Sequence, residues 1–272
     1  MTDQAAKAQR FLDLHHADKP LLLPNPWDVG SARLFASLGF QALATTSSGH
    51  AATLGRPDGG VSRDEALEHA ASVVAATDLP VSADLEDGFA DDPTGVAETI
   101  ELALRAGLAG CSVEDFSGRE DDPIYDASLA VDRVAAAAEA AHRGPVRLVL
   151  TARSENFLHD RPDLDDTIAR LQTFEQAGAD VVYAPGVTSA GDILRLVEAV
   201  GIPVNVLALP GVPPVAELAA LGVKRISVGG AFSLVGIGAV ANAAREFLDA
   251  GTYGFWDSAG EAIADRNQAF QQ

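Results

Sequence analysis

The feature that most constrains this chain is a repeat of pattern rather than of letters. A short apolar run followed by a stretch of helical composition recurs eight times in 272 residues. The apolar runs fall near 21–23, 40–46, 80–84, 110–114, 146–152, 180–184, 203–208 and 224–228, and read as buried parallel strands. Helical stretches follow near 29–38, 63–77, 93–107, 127–142, 163–177, 189–199, 213–221 and 232–249. Gly107, Gly178, Gly201 and Gly222 stand where helices should end, the place for a left-handed residue. Right-handed crossovers between this many parallel strands close naturally into a (β/α)8 barrel. An open doubly wound sheet would show a glycine-rich phosphate turn after its first strand; here that turn reads Pro24-Asn25-Pro26-Trp27. The expected fold is therefore one α/β TIM-type barrel domain over residues 1–272. Residues 251–272 form a C-terminal helical extension that either folds back on its own barrel or packs on a neighbouring subunit.

Composition narrows the partners. With 47% hydrophobic residues the chain can bury a full core. Its 39 acidic and 19 basic residues give a formal charge of −20, which repels nucleic-acid backbones and anionic membrane surfaces. The lone cysteine, Cys111, excludes an intrachain disulfide and reads as a core residue. The first residues show no basic segment leading into an apolar one, and no run approaches the roughly 20 apolar residues of a spanning helix. The expected location is the cytoplasm.

In such barrels the chemistry sits at the carboxyl ends of the strands. Three of these ends are charged: Asp84-Leu85-Glu86-Asp87, Glu114-Asp115 and Arg153-Ser154-Glu155. Asp84 and Glu86 are two apart, so both side chains face one side if the strand runs through them. Carboxylates held together repel unless a cation intervenes. With Glu114 from the next strand and Asp58 from a loop, the all-oxygen set suits Mg2+, with Mn2+ the alternative. Any one of these acids alone could equally be a solvated loop residue. Arg153, at the mouth of a buried strand, needs either a structural acid such as Glu155 or Asp115, or a substrate carboxylate to clamp. Ser47-Ser48-Gly49 can offer hydroxyls and N–H groups to a carboxylate. Gly229-Gly230 reads either as a phosphate cradle after the eighth strand or as a tight turn.

Taken together, Pro24-Asn25-Pro26-Trp27-Asp28-Val29-Gly30-Ser31-Ala32, Leu54-Gly55-Arg56-Pro57-Asp58-Gly59, Asp84-Leu85-Glu86-Asp87-Gly88-Phe89, Val113-Glu114-Asp115 and Thr151-Ala152-Arg153 resemble the isocitrate lyase/phosphoenolpyruvate mutase superfamily. The resemblance runs from about residue 20 to 245. It implies a barrel whose final helix is often swapped between subunits, in a homo-oligomer (dimer or tetramer). It implies Mg2+ held by Asp84, Glu86 and Glu114, with Asp58 acting through water. It also implies a small anionic 2-oxo acid bound by Arg153, Ser47 and Ser48. The chemistry would be C–C cleavage of a 2-oxo or 2-hydroxy carboxylic acid through a metal-stabilised enolate. Asn205 would contact the distal part of the substrate, and Asp115, His50, Tyr183 or the 116–124 loop would supply the proton.

The loop after the fourth strand departs from the better-known members. It carries neither the Lys-Lys/Arg-Cys-Gly-His motif of the lyases nor the lysine and asparagine of the phosphonate enzymes, and Pro185 stands where those members have glutamate or histidine. The chain therefore looks closer to a less-characterised lyase- or phosphonomutase-like branch. Oxaloacetate decarboxylation or hydrolysis, phosphonopyruvate hydrolysis, and non-catalytic binding of a 2-oxo acid are the alternatives.

Overall fold

The structure, a computed structural model, describes residues 3–271; the ends of the expected domain, Met1, Thr2 and Gln272, lie outside the described residues. Eight parallel strands form one sheet: β1 (Leu21–Leu23), β2 (Leu43–Ala44), β3 (Val81–Asp84), β4 (Gly110–Glu114), β5 (Val149–Arg153), β6 (Val181–Tyr183), β7 (Val204–Leu207) and β8 (Arg225–Ser227). Their order is β1-β8-β7-β6-β5-β4-β3-β2. The Ala44 N–H donates to the Pro24 carbonyl at 3.1 Å across the remaining seam. The result is a nearly closed (β/α)8 barrel.

Helices alternate with the strands as the sequence pattern requires: α1 (Asp3–His15), α2 (Val29–Ser37), α3 (Ser47–Thr53), α4 (Arg63–Ala75), α5 (Pro93–Arg105), α6 (Ala127–His142), α7 (Leu164–Gln176), α8 (Ala190–Ala199), α9 (Val215–Ala220), α10 (Ala231–Asp249) and α11 (Trp256–Phe270). Local chemistry fixes where several begin. The Asp28 carboxylate accepts from the Ser31 N–H at 2.7 Å, while the Ser31 hydroxyl serves the Asp28 N–H, a reciprocal cap on α2. Ser62 and Glu65 do the same for α4. Pro93 opens α5 behind its Asp92 cap, where a missing N–H costs nothing.

The amino-terminal end of the barrel is stoppered by α1. Ala8 and Phe11 pack among Leu21, Ala44, Val149 and Val181 from four strands. Phe11 is fully buried, and a Cβ on Gly110 would lie 2.7 Å from its ring. Gly110 is thus a close-approach glycine that lets the plug seat. His15 ends the same helix, its Nδ1 paired with the Phe11 carbonyl at 2.7 Å.

The C-terminal helices behave differently. The extension α11 folds back on its own chain: Phe270 reaches Gly30 of α2, and the Gln268 amide donates to the Ser37 carbonyl. In contrast, α10 buries only Ser233, with Leu234, Val235, Val240 and Leu248 more than two-thirds exposed. The sequence reading found no segment fit to span a membrane; by length and composition alone the 19-residue α10 meets that test.

Candidate active site

The side chains at the carboxyl ends of the strands converge on a cavity of about 160 Å3. Alternation along the strands decides which ones enter. Ser82 and Asp84, Ser112, Arg153, Arg225 and Ser227 all line it, each two residues from its neighbour where a strand contributes a pair.

Asp84 is the hub. Its Oδ2 accepts from the Ser47 hydroxyl at 2.9 Å and the Ser47 N–H at 3.2 Å. Its Oδ1 accepts from Arg153 Nη1 at 3.0 Å. The same Nη1 lies 3.0 Å from Glu114, and Arg153 Nε donates to Glu155 at 2.8 Å. Burial works against the Arg153 charge, but Glu114, Glu155 and Asp84 outweigh it and hold its pKa well above the ordinary value. The guanidinium also stands 5.2 Å from the centre of the Tyr183 ring.

Glu86 reaches the cluster by a route the sequence did not show. Strand β3 stops at Asp84, and Glu86 adopts a left-handed φ of 48°. A turn, not strand alternation, brings its carboxylate beside Gly59 and hence Asp58. Burial, then Asp84, Asp58 and Asp87, push Glu86 up to about 8. Burial and then Asp84 raise Asp58, and burial raises Glu114 well above the ordinary carboxylate range. These shifts mark surplus negative charge that Arg153 alone does not balance.

Among the described residues no three metal-ligating side chains stand grouped for direct coordination, because Arg153 occupies the space between Asp84 and Glu114. The donor set still fits a hard divalent cation: all oxygen, carboxylate-rich, and repelled in its absence. Few direct protein ligands and several water-bridged ones suit Mg2+, which keeps much of its hydration.

Four expected site residues are absent from the cavity lining: Glu86 and Glu114 join only the cluster around Asp84 and Arg153, and Asp115 and Asn205 lie elsewhere. Asp115 follows inward-facing Glu114, so it points outward between the strand and helix layers. There its carboxylate accepts from the Glu155 N–H at 2.8 Å and pairs with Arg170 at 3.2 Å. Burial raises it to about 6. It anchors the Arg153–Glu155 segment rather than facing a ligand. Asn205 is buried inside the barrel below the cavity lining, donating to the Ser227 hydroxyl at 2.9 Å. In the Gly229-Gly230 turn the Val228 and Gly229 N–H groups are both taken by Asn25 Oδ1, so a phosphate cradle there would lack these two donors.

The segment Ser47–Thr53 is the short helix α3. Thr46 caps it, its hydroxyl accepting from the Gly49 N–H at 3.3 Å. Ser48 thereby lines the cavity against Gly230, where an added Cβ would lie 2.6 Å from the Ser48 hydroxyl. His50 stacks on His69 of α4, ring centres 3.8 Å apart, outside the cavity lining. The 116–124 loop forms a small hairpin bridged between Phe116 and Ile124. Phe116 stacks on His159 at 3.7 Å, next to Leu158 in the cavity wall. Arg225, which sequence reading passed over, lies in the same wall.

A barrel with acids and an arginine gathered at its carboxyl mouth defines a class of enzymes acting on small anionic substrates. Comparison with known proteins makes that class specific. Residues 11–248 match the phosphoenolpyruvate phosphomutase family. A solved structure from Burkholderia cenocepacia J2315, provisionally assigned as a lyase/mutase, is 53% identical with a TM-score of 0.92, covering 94% of this chain and 92% of that one. An uncharacterised Mycobacterium tuberculosis protein is 34% identical, over 88% of this chain and 89% of its own length. The 2-methylisocitrate lyase of Escherichia coli is 29% identical, over 69% of this chain and 64% of that protein. The chain belongs to the isocitrate lyase/phosphoenolpyruvate mutase superfamily, a group of C–C lyases and mutases that are generally Mg2+-dependent and act on small carboxylic acids.

Proposed function

We propose that this protein is a Mg2+-dependent lyase that cleaves a C–C bond of a small 2-oxo or 2-hydroxy carboxylic acid. The observation that carries this reading is the convergence of Asp84, Glu114 and Arg153 within 3.0 Å contacts at the mouth of a small cavity. Asp84 would hold the cation directly, and Glu86, Glu114 and Asp58 through water. A cation bound there would supply positive charge to polarise the 2-oxygen and to stabilise negative charge developing beside it. The chain's own groups do the rest. Arg153 turns part of its guanidinium from Asp84 to the substrate carboxylate, and the Ser47 and Ser48 hydroxyls orient that carboxylate. Glu155 and Asp115 keep Arg153 in place from behind. Asp58, raised by burial and by Asp84, stands at the rim.

Calorimetry of Mg2+ binding, followed by assays for 2-oxo acid release from oxaloacetate, 2-methylisocitrate and phosphonopyruvate, tests the reading. Asp84→Ala is expected to abolish Mg2+ binding and to lower turnover by roughly 10^3-fold or more. Unchanged Mg2+ affinity in that variant refutes the site. Binding of oxalate with no turnover of any candidate supports the non-catalytic alternative instead.

We further assign the uncovered face of α10 to a second copy of this chain. The first strand shows the matching vacancy: Leu22 of β1 is 42% exposed beside an apolar cleft lined by Leu14, Leu38 and Phe40. A helix that leaves its own barrel at one chain and covers that cleft on another gives the helix-swapped dimer or tetramer. Light scattering after chromatography checks it: Val240→Asp should yield monomers, and an unshifted mass would reject the assignment.

A further inference from the structure

The barrel interior below Asp84 is unlike the usual packing of such folds, where branched apolar side chains fill the middle. Here Ser82, Ser112, Thr151, Asn205 and Ser227 occupy it, and Arg225 lies among them, only 4% exposed. Its one hydrogen bond within the described residues runs from Nη1 to the Thr151 hydroxyl at 2.8 Å. Its Nε has no partner. No carboxylate in the described residues forms an ion pair with it, although the other buried arginines are satisfied. Arg153 and Arg170 have acids, and Arg133 donates to the carbonyls of Asp87, Ala90 and Asp91. An unpaired buried cation is costly to keep.

The position of Arg225 says what would relieve it. It lines the same cavity as Asp84 and Arg153. Thr151 precedes Arg153 by two residues on β5, about 7 Å along the strand, so the Arg225 guanidinium, bonded to the Thr151 hydroxyl, reaches a level below the Arg153 backbone. Beneath it the plug helix and its apolar neighbours seal the barrel, so a ligand reaches Arg225 only through the mouth. Burial lowers its pKa to about 10, which leaves it charged at neutral pH.

We infer that Arg225 forms a floor subsite for a second carboxylate, so that the substrate is a short diacid. One end is held at the mouth by Arg153, Ser47 and Ser48, the other at depth by Arg225 and the hydroxyls around it. This deepens the lyase reading and rests on it. Arg225 is then the residue that selects diacids over monoacids of equal length. A cavity of about 160 Å3 is smaller than those that take larger ligands and suits such an acid.

The test uses malate and 2-hydroxybutyrate, which differ only in a distal carboxylate against a methyl group. Binding is measured by calorimetry with the full chain and Mg2+. The wild-type protein should bind malate about tenfold to a hundredfold more tightly, the range of a hydrogen bond to a charged group. Arg225→Met should erase that preference and leave 2-hydroxybutyrate affinity unchanged, and Arg225→Lys should keep part of it. A preference that survives in Arg225→Met, or none in the wild type, overturns the subsite while the mouth site stands. If neither acid binds the wild type even with Mg2+, the lyase reading falls and the subsite with it. The melting temperature separates a framework role: Arg225→Met should melt no lower than wild type, since it removes an unpaired buried charge. A much lower melting point with diacid preference intact assigns Arg225 to the framework and overturns the proposal.

Discussion

The two ends of this barrel are built on opposite terms. At the amino-terminal end, Phe11, Leu21, Val149 and Val181 are buried against one another and Gly110 makes way for the plug. At the carboxyl end, Asp58, Asp84, Glu86 and Glu114 crowd around one arginine, and burial raises three of them above their ordinary range. The first end contributes stability and no chemistry; the second spends it. Such a division is expected when a site is assembled on a rigid frame.

The sharpest way to break the contrast is at the plug. Phe11→Ala should cost about 3–5 kcal/mol in denaturant unfolding, the usual range for a buried phenylalanine. Mg2+ affinity of the folded fraction should stay at the wild-type value. A large change in that affinity would show that the two ends are not independent.

A smaller effect comes from pH. Burial lowers His15 from 6.5 to about 3. Between those values the unfolded chain takes up a proton that the folded chain does not, so stability is full above 6.5 and falls as pH drops toward 3. At pH 5 the loss from this one group is about 2 kcal/mol. Comparing unfolding at pH 7 and pH 5 should show that much less loss in His15→Gln than in wild type. Equal losses in the two proteins would remove His15 as the cause.

The smallest expected change has the opposite sign. Glu86→Gln removes a carboxyl that burial and neighbouring acids push up to about 8. Without added metal the variant should be more stable at pH 7 by about 1–2 kcal/mol, since partial exposure screens the repulsion. Its Mg2+ affinity should drop. A variant that is destabilised without metal would contradict the reading of Glu86 as a repelled group.

How much of this was legible in the sequence follows from periodicity. Strand alternation and helix-ending glycines act locally, so the eight units and the inward positions of Asp84, Glu114 and Arg153 could be read directly. Features that depend on a change of direction could not. Glu86 arrives through a left-handed residue, and α3 forms because Thr46 caps a stretch of small residues that looks like a loop. Asp115 was legible but misjudged, since parity with Glu114 already turned it outward. Arg225 follows Lys224 inside the 224–228 strand, and a charge so near its start drew no reading. Counting back two from Ser227 would have placed it inside.

The seam at Gly230 carries one more consequence. With no room for even a methyl group between the start of α10 and the Ser48 hydroxyl, these two parts share a joint without slack. A side chain at position 230 would have to push the Ser48 hydroxyl aside, so this one glycine sets how closely the start of α10 approaches the cavity.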